Sequence, residues 1–96
     1  MKQDVSEATI PSFIKKIAQH AFTDCNKLKV LNFENDSELS FIDDFSFFFS
    51  KLQKICIPKK VTKIGLSSFS TCKSLHRVEF DDNSSLEKIG HHAFSE

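Results

Sequence analysis

Shifting the 96-residue chain against itself by 47 positions brings its two halves into register. Ile10-Pro11 falls on Ile57-Pro58, Ile17 on Ile64, Phe22 on Phe69 and Cys25 on Cys72. The match continues with Leu28 on Leu75, Phe33 on Phe80, Leu39 on Leu86, Ile42 on Ile89 and Phe47 on Phe94. A period of this kind restricts the fold to architectures that stack one supersecondary unit on the next.

Each 47-residue unit divides again. Ile17, Ile42, Ile64 and Ile89 each stand five residues before a phenylalanine: Phe22, Phe47, Phe69 and Phe94. A second element recurs as Leu28/Leu31/Phe33, Leu52/Ile55/Ile57 and Leu75/Val78/Phe80, with a weaker copy at Val5/Ala8/Ile10. These copies start at residues 5, 28, 52 and 75, so the steps are 23, 24 and 23. Two joints alternate between them: a short Ile-Pro joint, Ile10 to Ile14 and Ile57 to Val61, and one two residues longer, Phe33 to Leu39 and Phe80 to Leu86. The single array 1–96 therefore reads as four repeats, 5–27, 28–51, 52–74 and 75–96.

The last two apolar residues of the Leu-x-x-Ile-x-Ile element alternate with polar ones, which is strand spacing. The stretch after it, such as Val61 to Phe69, spaces apolar residues at three and five, as a bend or a 3₁₀ turn would. One such unit cannot bury its apolar side alone, and stacking on the next unit completes that burial. The expected fold is an α/β solenoid: a right-handed coil with a parallel sheet of short strands on one face and short helical turns or irregular bends on the other.

Composition narrows the function. Thirteen basic and thirteen acidic side chains give zero formal net charge, without the basic excess that binding a phosphate backbone requires. No apolar run reaches the roughly 18 residues of a membrane span, and Met1 to Ile10 has no apolar core of a signal peptide. Three cysteines are too few for a disulfide framework.

The run from Ile57 to Phe80, Ile-Pro-x-x-Val-x-x-Ile-Gly-x-x-Ser-Phe-x-x-Cys-x-x-Leu-x-x-Val-x-Phe, resembles the BspA-like leucine-rich repeat, the Treponema-pallidum-type class of about 23 residues. The longer joint, Phe80 to Leu86, is similar to a variant common in BspA-like families of parasitic protists. Ala18 and Asp43 depart from the family at the place of Gly65 and Gly90. Neither terminus carries the polar capping repeat that arrays need, so the chain is expected to be a fragment of a longer array.

Few residues suggest chemistry. Cys25 and Cys72 occupy one repeat position and fit as small apolar core plugs. Two repeats separate them, about 10 Å at strand spacing, too far for a disulfide. Cys56 alternates away from the core and is expected to be the most reactive thiol, with no neighbouring base or cation to make it a nucleophile. His20 and His76 stand alone, and His91 and His92 are expected to point apart, so no metal site is read. The acidic joints Glu34 to Glu38 and Asp81 to Asn83 lack the order of a calcium loop and suit turns. No triad spacing, phosphate loop or zinc-protease motif is present. No catalytic residue and no cofactor are expected.

Two surfaces remain as candidates. Alternation sets Glu7, Val30, Lys54 and Arg77 in one outward row of the sheet and Thr9, Asn32, Cys56 and Glu79 in the next. Phe45 and Phe48 form a candidate apolar flank. The second repeat has one residue fewer between Phe47 and Leu52 and no cysteine there, so Phe49 is expected in the slot that Cys25 and Cys72 fill. The resemblance implies a non-catalytic protein-interaction module of a cell-surface protein that engages host proteins, other cells or matrix. An intracellular repeat scaffold is the alternative, and three unpaired cysteines suit that compartment.

Overall fold

A computed structural model describes residues 6–95. Val5, expected to open the first coil, lies outside the described residues. Four coils stack through two parallel sheets. Strands β1 (Glu7–Ile10), β3 (Val30–Phe33), β5 (Lys54–Ile57) and β7 (Arg77–Phe80) form the first, in the order β1-β3-β5-β7. Each carries apolar residues in alternation, the pattern of a strand with one face buried.

Two-residue strands form the second sheet, in the order β2-β4-β6-β8: β2 (Lys16–Ile17), β4 (Phe41–Ile42), β6 (Lys63–Ile64) and β8 (Lys88–Ile89). Only one sheet was expected. Here the recurring isoleucine of each coil points into the core while its neighbour faces out: Ile42 and Ile64 are fully buried.

Among the described residues there is no helix. The side expected to hold helical turns or bends is a string of turns that pairs with the next coil. His20, Phe22 and Asp24 donate their amides to the carbonyls of Asp44, Ser46 and Phe48 at 3.3, 2.6 and 3.0 Å. Phe45, Phe47 and Phe49 do the same to Leu66, Ser68 and Ser70 at 2.9, 2.7 and 3.0 Å. The residues between them, Ala21, Thr23 and Cys25 in the first coil, donate three residues back within their own turn. The physical reason that no helix forms is the backbone sign. His20, Asp24, Phe45, Phe49, Ser67, Thr71 and His92 all have φ between 51° and 63°, which interrupts any right-handed run. Left-handed conformation costs a non-glycine residue roughly 1–2 kcal/mol. It persists here because hydrogen bonds to the neighbouring coil over-determine it.

Inside these three ladders, equivalent side chains meet. Phe22, Phe47, Phe69 and Phe94 stack with ring centroids 5.1, 4.9 and 5.1 Å apart and planes within 6° of parallel. Leu31, Leu39, Ile42, Leu52, Ile55, Ile57, Val61 and Ile64 fill the rest of the core. Beside the phenylalanines runs a column of small residues, Ala21, Ser46, Ser68 and Ala93. The hydroxyls of Ser46 and Ser68 are buried without a hydrogen-bond partner.

Gly65 shows how close the coils come. A Cβ built there would lie 2.6 Å from the Asp44 nitrogen and 2.7 Å from the Asp43 carbonyl carbon, both in the preceding coil.

Two substitutions separate these effects. Phe47→Ala removes a fully buried ring from the stack and is expected to cost about 3–5 kcal/mol. Ser68→Ala removes an unsatisfied buried hydroxyl and is expected to raise stability by about 1 kcal/mol. Midpoints of urea unfolding, at unchanged slope, check both signs.

Candidate functional site

The strands of the first sheet set their outward residues in register. Glu7 pairs with Val30, Val30 with Lys54, and Lys54 with Arg77. In the next row Thr9 pairs with Asn32 and Cys56 with Glu79. Glu7, Thr9, Lys54, Cys56, Arg77 and Glu79 are exposed, while Val30 and Asn32 are half-buried. The second row is interrupted, because β3 and β5 pair only at Val30–Lys54 and Leu31–Ile55. Beyond that point the long joint of the second coil departs from the short Ile57-Pro58 joint of the third. A cleft of about 570 Å³ opens between them, lined by Asn32, Phe33, Asp36, Cys56 and Lys59 among others.

Charges on this face are partly matched. Asn32 donates its Nδ2 to Glu7 Oε2 at 2.7 Å, and Arg77 Nη1 lies 3.6 Å from Glu79 Oε2. Among the described residues Lys54 makes no ion pair. Both Arg77 and Glu79 are more than half exposed, so their pairing is weak and easily exchanged for a partner's charge.

The phenylalanine flank is built differently from the expectation. Ser50, not Phe49, fills the cysteine slot: it is buried, and its Oγ lies 3.5 Å from Cys72 Sγ. Ser50 stands three residues after Phe47, as Cys25 and Cys72 stand three after Phe22 and Phe69. The missing residue is therefore absorbed between Ser50 and Leu52, and Phe49 is left 55% exposed. Phe45 and Phe48 are half-buried. Phe45 stacks on His20 at 5.4 Å and meets Phe48 edge-on at 5.6 Å. The His91 and His92 rings, expected to diverge, lie 4.0 Å apart at 60°. His92 stands in a turn with φ of 58°, where the alternation of an extended strand does not apply.

A further column escaped the sequence reading. Lys16, Lys63 and Lys88 occupy the outward position of the second sheet, with Phe41 between the first two. Lys16 Nζ sits 3.7 Å from Asp43 Oδ2, and Lys63 Nζ lies over the Phe41 ring at 5.1 Å, a cation–π distance. The recurring Lys-Ile dipeptide was the available signal.

The three cysteines are free: Cys56 exposed, Cys25 intermediate and Cys72 buried. The Cys72 thiol donates to the Phe47 carbonyl at 2.9 Å. Among the described residues no group of three or more His, Cys, Asp or Glu is placed to hold a metal ion. No helix among them is long and apolar enough to cross a membrane.

A stacked parallel solenoid with such outward rows is a leucine-rich repeat scaffold, a class that offers extended surface for protein interaction. A family model described as BspA type Leucine rich repeat region (6 copies) matches residues 1–96, and the chain belongs to that family. Repeats of this kind are generally non-enzymatic scaffolds. The chain is similar to the crystal structure of the pneumococcal vaccine antigen PcpA, at 40% identity and a TM-score of 0.90, over 93% of this chain and 22% of that one. It shares its fold with a leucine rich cell surface protein from Faecalibacterium prausnitzii A2-165, at 21% identity and a TM-score of 0.51, over 93% of this chain and 36% of that one. The chain thus spans under a quarter of the first structure and just over a third of the second. No curated protein matches it.

Maleimide labelling of the folded protein is expected to modify Cys56 first, Cys25 next and Cys72 last. Peptide mapping at early times checks the order, and early labelling of Cys72 would contradict the packing described.

Proposed function

We propose that the chain is a non-catalytic protein-binding module whose contact face is the outward side of β1, β3, β5 and β7. The supporting observation is the pair of outward rows on a rigid ladder, where apolar, cationic, anionic and amide side chains stand at fixed spacing. Residues held in place before contact lose little further freedom on binding, which favours affinity.

On this reading the module serves attachment at a cell surface, with a host or matrix protein as partner. Similarity to a vaccine antigen supports that placement, since an antigen of that use must be reachable by antibody. The free thiols of Cys25, Cys56 and Cys72 favour the second reading, a scaffold in a reducing compartment. Antibody staining of intact source cells, with and without permeabilisation, separates the two.

Charge reversal tests the face. Lys54→Glu combined with Arg77→Glu changes two exposed positions of one row, and circular dichroism is expected to stay unchanged. Binding to whichever member of an immobilised panel of matrix proteins the native chain captures is expected to weaken by about tenfold or more, a loss of about 1.4 kcal/mol or greater. Undiminished capture would move the contact to the phenylalanine flank around Phe45, Phe48 and Phe49.

A further inference from the structure

The zero net charge of the chain conceals an uneven distribution. The third repeat, 52–74, carries Lys54, Lys59, Lys60, Lys63 and Lys73 and no acidic residue. The repeats beside it, 28–51 and 75–96, each hold five acidic residues against two lysines or arginines. Within the third coil Lys63 is the cation that joins a row. It is the Cα partner of Phe41 on one side and of Lys88 on the other, and Phe41 is the partner of Lys16. The three lysines are exposed and Phe41 is half-buried. The row runs lengthwise along the side of the stack, and Lys63 lies between two described coils. Its exposure is that of a side wall, whatever lies beyond either end.

The charges of this row are poorly matched. Lys16 is answered by Asp43 of the next coil, at 3.7 Å. The place of Asp43 passes to Gly65 and then Gly90 in the following coils, where an added Cβ would lie 2.6 Å from backbone atoms of the preceding coil. Close approach of the backbones therefore removes the carboxylate that would answer Lys63. Lys63 Nζ rests instead over the Phe41 ring at 5.1 Å, a contact of little strength at an exposed site. Lys88 stands directly opposite Lys63, and like charges so placed on a sheet oppose folding. Glu87 adjoins Lys88 in the chain but belongs to the neighbouring row, where its amide donates to the Thr62 carbonyl at 2.8 Å. Among the described residues its carboxylate makes no ion pair.

We infer that this side of the second sheet binds a sulfated glycan, laid lengthwise across the coils. Lys63 and Lys88 stand one coil apart, about 4.8 Å, close to the advance of one sugar in an extended glycan. Adjacent ammonium groups thus meet anions on adjacent sugars. One carboxylate per disaccharide would leave every second lysine unmatched, whereas sulfate groups on successive sugars match both. Among the described coils Phe41 holds the one place in the row without a cation. Its ring gives the C–H face of a sugar an apolar surface between Lys16 and Lys63. Binding exchanges two weak contacts, Lys16 with Asp43 and Lys63 with Phe41, for ammonium–sulfate pairs, and it releases counterions condensed on the polymer. This side lies apart from the outward face of β1, β3, β5 and β7, so the inference does not depend on the protein-binding role proposed for that face.

Biolayer interferometry of the native 96-residue chain on immobilised heparin is the test, at about 0.15 M salt, where charges are screened over about 8 Å. The chain is expected to bind heparin and not dextran, an uncharged glycan. Hyaluronan, with one carboxylate per disaccharide, is expected to bind about tenfold more weakly or worse, since fewer counterions are released. Lys63→Gln combined with Lys88→Gln keeps both stems. It is expected to weaken heparin binding about tenfold and to flatten the slope of log K against log salt by about 1.5. Phe41→Leu keeps the charge and an apolar side chain, and is expected to weaken heparin binding several-fold while leaving any binding to inorganic polyphosphate unchanged. Far-UV circular dichroism and the urea midpoint establish that each variant is folded. Absence of heparin binding overturns the inference, as does binding that survives the double lysine variant or is untouched by Phe41→Leu. Equal affinity for polyphosphate, or an equal loss on Lys54→Gln combined with Lys59→Gln, would reveal diffuse attraction to the whole lysine-rich coil and overturns it too.

Discussion

Parallel pairing of each strand with its own copy in the next coil governs this molecule. Paired strands lie about 4.8 Å apart, so any residue inside the stack must pack well against its equivalents above and below. Flat rings meet that demand, and the column Phe22, Phe47, Phe69 and Phe94 holds centroid distances of 4.9–5.1 Å. Branched aliphatic residues meet it along Ile17, Ile42, Ile64 and Ile89. Small residues meet it at Ala21, Ser46, Ser68 and Ala93, where the turns crowd the core even at the cost of two unsatisfied hydroxyls.

That rule explains which parts of the fold were legible in the sequence. Residues repeated by the stack are repeated in the chain, so the core columns and the outward rows from Glu7 to Arg77 follow from the 47-residue register alone. The second sheet did not follow, because two residues such as Lys63–Ile64 are too few to display a strand period. The turns did not follow either. No glycine marks His20, Phe45 or Ser67 as left-handed, since their conformation is imposed by the carbonyls of the neighbouring coil, to which their own amides donate, and not by local preference. The place of Phe49 was missed for a related reason. A one-residue deletion can be absorbed anywhere between Phe47 and Leu52, and the buried hydroxyl of Ser50 beside Cys72 decides where.

The alternation of joint lengths gives the binding face its texture. Where a short joint precedes a long one, as from β1 to β3 and from β5 to β7, all four residues pair. Where a long joint precedes a short one, pairing stops after two residues and the cleft beside Asn32 and Cys56 opens. A flat and uniform ladder is a general template for sticking to other strands. The cleft breaks that uniformity and sets different side chains at different depths, which is what discrimination between partners requires.

The same ladder that sets the outward rows sets how closely successive coils approach, and the glycine column marks the tightest place. With Gly65 and Gly90 in place, the adjoining bonds from Phe45 to Leu66 and from Ser67 to His91 measure 2.9 and 3.0 Å. With Asp43, the corresponding bond from His20 to Asp44 lengthens to 3.3 Å. The other two turn bonds of that junction, from Phe22 to Ser46 at 2.6 Å and from Asp24 to Phe48 at 3.0 Å, match their equivalents in the glycine junctions, so a Cβ at this position is accommodated locally and the ladder continues past it.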